Sequence, residues 1–165
     1  MDDVTLRGRA ERLAGELVHE ASARGVTVST AESCTAGMVA SAIADVPGAS
    51  EVLRGGAVTY CDEVKHRVLG VSEQTLALHT AVSPQTAREM ATGSRALFSS
   101  DVAVSLTGYA GPGGGTEKDP AGTVYLGLAS DAGVSAERCS FDGGRNEVRM
   151  AATCRALELL LGCLR

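Results

Sequence analysis

The stretch from Val26 to Ile43, VTVSTAESCTAGMVASAI, leaves a chain few ways to fold. The β-branched run Val26–Thr30 predicts a strand, and the small and polar Glu32, Ser33, Cys34 and Thr35 predict a tight turn. From Gly37 the apolar residues take helical spacing, with Val39, Ala42 and Ile43 on one face. A strand feeding through a turn into a helix is the opening of an α/β domain.

The turn is where chemistry could sit. The first four amides of a helix lack internal partners and favour an anion or a developing negative charge. Ser33 and Thr35 are both plausible N-caps, which is the structural use of their hydroxyls. A catalytic use of Ser33 needs a base from elsewhere in the chain. Cys34 adjoins Ser33 at this expected helix start, where a thiolate would be favoured.

The flanking sequence fits the same class. Leu6–Ala23 predicts an amphipathic helix, with Leu6, Ala10, Leu13, Leu17 and Ala21 recurring every three or four residues and Gly25 marking its end. After a breaker at Asp45–Ser50, Val52–Tyr60 predicts a second strand, with Gly55 and Gly56 at a bulge or close approach. Asp62 is expected to cap a short helix over Glu63–Leu69, on whose first turn Lys65 points back towards the strand end. Gly70 and Ser72 set off another short helix through Leu78, and Ser83 with Pro84 starts a helix to Leu97. Asp101–Thr107, Gly122–Ala129 and Ser135–Phe141 predict three strands, and a last helix runs from about Arg145 to Leu161. The expected architecture is a three-layer α/β/α single domain over residues 1–165, with a mixed central sheet.

Composition narrows the function. With 165 residues, a core of aliphatic and alanine side chains suits one domain, since aromatics make up only 3%. The net charge of −5 argues against a broad nucleic-acid footprint but leaves room for a pocket holding one phosphate. No apolar run is long enough to span a membrane, and the charged beginning MDDVTLRGRAERL lacks the apolar core of a signal peptide, so no membrane partner and a cytoplasmic location are expected. Five scattered cysteines, Cys34, Cys61, Cys139, Cys154 and Cys163, form neither a disulfide framework nor a zinc spacing.

The candidates for chemistry are few. Only two lysines are present, Lys65 and Lys118. A lysine near a serine in a low-dielectric site can be neutral and act as a base, with Tyr60 as a proton relay. His19, His66 and His79 share no spacing and pair with no carboxylate motif, so no metal is expected. The glycine-rich segment Gly111–Thr116 follows the strand ending at Thr107, where open α/β sheets place ligands, and its glycines let backbone amides converge on an anion. It matches neither a Walker loop nor a dinucleotide fingerprint. Arg145 and Arg149 lie one turn apart at a helix start, where either could clamp a phosphate or sit in solvent.

Taken together, these segments resemble the C-terminal domain of the competence/damage-inducible CinA proteins, a family with stand-alone PncC-type nicotinamide-nucleotide amidohydrolases. The resemblance is carried by TAESCTAG at Thr30–Gly37, GGAVTYCDEVKHRVLGV at Gly55–Val71, AVSPQTAREMA at Ala81–Ala91, LTGYAGPGGGT at Leu106–Thr116, AGTVYLGLA at Ala121–Ala129 and FDGGRNEVR at Phe141–Arg149. These motifs span nearly the whole chain in one order.

The resemblance implies hydrolysis of the carboxamide of nicotinamide mononucleotide to nicotinate mononucleotide and ammonia, without a cofactor. It assigns Ser33 as nucleophile and Lys65 and Tyr60 as its proton partners. It puts Cys34, Thr35, Thr107, Gly108, Gly111, Gly113, Gly114, Arg145 and Arg149 around the nucleotide substrate. An alanine-rich chain with few aromatics suits a homodimer formed through helix faces, and a separately encoded CinA N-terminal domain is the partner expected of a module without catalysis. Three positions depart from the common family wording. Ala36 replaces a glycine, which suits a negative φ; Tyr109 replaces isoleucine; Asp62 replaces asparagine and would favour protonated Lys65. A second reading is a nucleotide-binding or regulatory module without catalysis, and a third is an amidase for another small amide.

Overall fold

The computed structural model describes residues 2–165. Its elements are α1 (Asp3–Arg24), β1 (Val28–Glu32), α2 (Met38–Ala44), β2 (Leu53–Val58), α3 (Asp62–Leu69), α4 (Glu73–His79), α5 (Pro84–Phe98), β3 (Val102–Gly108), β4 (Thr123–Ser130), β5 (Gly133–Ser140) and α6 (Arg145–Leu164). The strands form one sheet in the order β2-β1-β3-β4-β5. β1 runs parallel to both β2 and β3, whereas β3, β4 and β5 are antiparallel, so the sheet is mixed, as expected.

Helices cover both faces. On one, α2 and α6 pack on β1, β3 and β4 and α1 lies against α6 and α2, around an aliphatic core that includes Leu13, Leu17, Ile43, Val104, Leu126, Leu157 and Leu160. The apolar stripe predicted for α1 is buried in full, and Asp2 caps its start by accepting from the Thr5 amide. On the other face α5 lies along the sheet, with α3 and α4 packed against it. Small residues permit this closeness. A Cβ on Gly127 of β4 would stand 2.2 Å from the Ala87 carbonyl oxygen, and one on Gly93 of α5 would stand 1.9 Å from that of Leu69. The end of α3 is therefore moored directly on α5.

Several boundaries differ from expectation. β2 ends at Val58, two residues early, because the chain must leave the ladder to enter α3; a register shift pairs Ser29 with Gly55. Gly56 is a close approach as predicted, since a Cβ there would meet Thr30 Oγ1 at 2.5 Å. The cap of α3 is Cys61 rather than Asp62, which is already the first helical residue and donates its charge to the first turn instead. Ser83 caps α5 as foreseen, accepting from the Thr86 amide. α6 continues three residues beyond Leu161, where Leu164 is also buried. No helix among the described residues is long and apolar enough to cross a membrane.

Candidate active site

The site forms where β1 and β3 end side by side. Ser33 follows the last residue of β1, and its amide still donates to the Leu106 carbonyl of β3 at 3.0 Å. The chain then turns through Cys34, Thr35 and Ala36 before Gly37 opens α2. Neither Ser33 nor Thr35 caps that helix, contrary to expectation. The cap is the fully buried carboxylate of Glu32, which accepts from the amides of Gly37, Val39 and Ala40 at 3.0–3.2 Å and from Thr35 Oγ1 at 2.7 Å. An acid fits the positive end of a helix, and the three amides are no longer open to a ligand.

Ala36 has φ of +51°, not the negative value expected. The amide of Ala36 donates to the Ser33 carbonyl at 3.1 Å, so closing the turn holds the residue in the left-handed region despite its Cβ.

Ser33 retains a free hydroxyl for another use. Lys65, on the first turn of α3, brings its Nζ to 3.0 Å from Ser33 Oγ, 2.9 Å from the Thr59 carbonyl and 3.4 Å from the Tyr60 carbonyl. Its side chain is almost wholly enclosed, at 1% exposure. Burial lowers its pKa below the ordinary lysine value, and the Asp62 carboxylate, with Cys61 and Cys34, opposes this only in part. The expected effect of Asp62 is thus present but outweighed. A neutral amine would keep two N–H donors for the carbonyls and turn its lone pair to the Ser33 O–H.

The neighbouring thiol differs from expectation. Cys34 is buried, and loss of solvation pushes its pKa up to about 11, with the Glu32 charge adding to the rise. A protonated thiol there is a poor nucleophile at neutral pH.

A cavity of about 230 Å³ opens beside this pair. Of the residues expected in the site, Ser33, Cys34, Tyr60, Lys65, Thr107, Gly108, Gly111, Gly113 and Arg145 line it. Thr35, Gly114 and Arg149 do not. Ala81, Val82, Tyr109 and Ala110 complete the wall. Thr107 commits its hydroxyl to the Ala81 carbonyl at 2.6 Å. Arg145 spans the rim, donating to the Gly111 carbonyl and to Tyr60 Oη, each at 3.0 Å. Tyr60 is 58% exposed, and its phenol meets this guanidinium rather than Ser33. Arg149 is half-buried and directed at the turn after β1, where Nε donates to the Cys34 carbonyl at 3.0 Å and Nη2 to the Thr35 carbonyl at 3.1 Å.

Glu32 was missed from sequence because it reads as the last residue of a strand; an acid within a few residues of a helix start was the available signal. Ala81, Val82 and Ala110 carry no chemical signature.

The CinA C-terminal domain family model matches residues 10–164. The chain is 48% identical over 137 residues to a CinA-like protein of Myxococcus xanthus, covering 82% of this chain and 32% of that protein. It superimposes on the crystal structure of the competence/damage-inducible protein CihA from Agrobacterium tumefaciens with a TM-score of 0.92 and 40% identity, over 95% of this chain and 96% of that one. A CinA superfamily protein from Klebsiella pneumoniae gives 0.90 and 36%, over 94% and 97%. The chain spans about a third of the length of the curated relatives it matches.

Proposed function

The chain belongs to the CinA C-terminal domain family, and on that premise we propose that it hydrolyses the carboxamide of nicotinamide mononucleotide to nicotinate mononucleotide and ammonia. The observation that carries this reading is the enclosed amine of Lys65, 3.0 Å from Ser33 Oγ and made less basic by burial.

In this scheme neutral Lys65 takes the Ser33 proton as Oγ attacks the carboxamide carbon. Negative charge develops on the carboxamide oxygen, and we assign the amide of Cys34, a residue of the cavity wall, to receive it. Among the described residues this amide donates to no backbone carbonyl. The Lys65 ammonium returns its proton to the leaving nitrogen, the C–N bond breaks, and ammonia departs from an ester on Ser33. Water then attacks the ester carbon, with Lys65 accepting its proton and passing it to Ser33 Oγ as the C–O bond breaks. The acid leaves ionised and its proton converts ammonia to ammonium. Arg145 and the Gly108–Gly113 loop hold the 5′-phosphate, the guanidinium exchanging its present partners for phosphate oxygens.

A coupled ammonia assay across the mononucleotide, its riboside and free nicotinamide tests the proposal. Ammonia is expected from the mononucleotide with the highest kcat/KM. Tight binding of the mononucleotide with no ammonia would overturn it and favour a nucleotide-binding module.

A further inference from the structure

Arg149 sits half-buried in the first turns of α6 without a carboxylate partner among the described residues. Its guanidinium is instead spent on two successive carbonyls of the nucleophile turn, Cys34 and Thr35. Those carbonyls are 114 and 115 residues away in sequence, so the contact ties α6 to the end of β1. Carbonyls are weaker partners for a guanidinium than a carboxylate or phosphate, so placing a charge here costs stability that a function would have to justify.

Fixing the backbone of the turn supplies that function. With the Cys34 and Thr35 carbonyls both held on Arg149, two successive planar peptide units next to Ser33 are set in place. The remaining groups of the turn are tied down as well: the Ser33 amide on Leu106, the Ser33 carbonyl by the Ala36 amide, and the Thr35 carbonyl by the Met38 amide and Arg149. Among the described residues the Cys34 amide, on a residue that lines the cavity, donates to no backbone carbonyl.

Resting on the amidase reading above, we propose that Arg149 is a positioning residue for acyl transfer, holding the turn so that Ser33 Oγ and the Cys34 amide keep their places at the cavity where the oxyanion forms. It does so through the backbone and does not touch the phosphate. Arg145 and Arg149, alike in sequence as a pair one helical turn apart, thus divide the work between ground-state binding and the transition state.

The experiment compares Arg149→Ala, Arg149→Lys and Arg145→Ala on the mononucleotide and on its phosphate-free riboside. Arg149→Ala is expected to lower kcat by about tenfold to a hundredfold on both substrates with little change in KM, a fraction of the loss on deleting an oxyanion donor outright. Added guanidinium ion should restore part of the rate. Arg149→Lys, which keeps charge but cannot bridge two carbonyls, should remain impaired. The second readout is binding of pyridine-3-boronic acid, whose boron becomes tetrahedral on Ser33 Oγ, followed by boron NMR. Arg149→Ala should weaken that adduct at least about tenfold while leaving nicotinate mononucleotide affinity unchanged. Loss confined to the phosphorylated substrate, or a raised KM with kcat intact, would overturn the proposal and make Arg149 a phosphate ligand. An unchanged boronate adduct would overturn it too. A wild-type protein that releases no ammonia and forms no adduct would instead defeat the amidase reading itself.

Discussion

The guanidinium of Arg145, on the first turn of α6, donates to the phenol oxygen of Tyr60, just beyond β2, at 3.0 Å. The phenol therefore serves the arginine, and Tyr60 reaches Lys65 only through its own backbone carbonyl. Tyr60→Phe is expected to leave kcat within about threefold of wild type and KM for the mononucleotide no higher than wild type, because Arg145 gives up this phenol to bind phosphate and proton transfer is untouched. Arg145→Ala should raise KM by about tenfold to a hundredfold, the worth of a charge-assisted bond to phosphate. Steady-state kinetics decide this; a large fall in kcat for Tyr60→Phe would restore the phenol as a proton relay.

Ser33→Ala should reduce kcat by at least about a thousandfold while nucleotide binding stays measurable by calorimetry. Cys34 cannot take over at neutral pH, since burial keeps its thiol protonated with a pKa near 11. Substantial residual turnover that is lost on further changing Cys34→Ala would show that the thiol is the nucleophile.

The pH dependence follows from the amine. Lys65 must be neutral to act as a base, so kcat/KM should rise with pH to a limb below the ordinary lysine value of 10.5. The Asp62 carboxylate favours the ammonium, so Asp62→Asn should move the limb to lower pH; a shift the other way, or none, would remove Lys65 as the titrating base. The sign for stability is fixed by the same depression. Between the lowered value and 10.5 the unfolded chain binds a proton that the folded chain lacks, so this group makes stability rise with pH across that window.

Ala36 carries a side chain at φ of +51°, where a left-handed residue other than glycine costs about 1–2 kcal/mol. Glycine would relieve this while adding back some chain entropy, for a net gain of about 0.5–1 kcal/mol. Ala36→Gly should raise Tm by about 1–4 °C, and the β-branched Ala36→Val should lower it. Thermal melts of the two variants with opposite signs would test the strain directly.

Gly93→Ala should couple stability to rate. Its Cβ would meet the Leu69 carbonyl, a backbone atom that can yield only if α3 moves on α5. A loss of about 1–3 kcal/mol is expected, together with a fall in kcat, because α3 carries Lys65. A destabilised variant with unchanged kcat would show that the base is held by its carbonyl partners alone.

Periodicity and breakers were enough to place the five strands and the main helices, because each apolar stripe is local and meets a continuous core face. The same signals put Ser33 at a strand end and Lys65 near the start of a helix, yet their approach depends on β2 lying beside β1, which no local pattern states. The uses of Arg145 and Arg149 were indistinguishable in sequence, since their partners are carbonyls and a phenol far along the chain. The role of Glu32 was hidden by its neighbours: Ser33 and Thr35 are better known caps, but the carboxylate reaches three amides where a hydroxyl reaches one. The left-handed Ala36 was also illegible, as alanine gives no warning of positive φ.

Glu32 and Arg149 grip the turn from opposite chemical sides, one collecting N–H groups and the other C=O groups. The loop that carries Ser33 is thereby assembled during folding, with no ligand needed to shape it. Its ordering entropy is already spent when a ligand arrives, and on the proposed amidase reading the contacts made by sugar and phosphate remain available to press the reacting group towards its transition state.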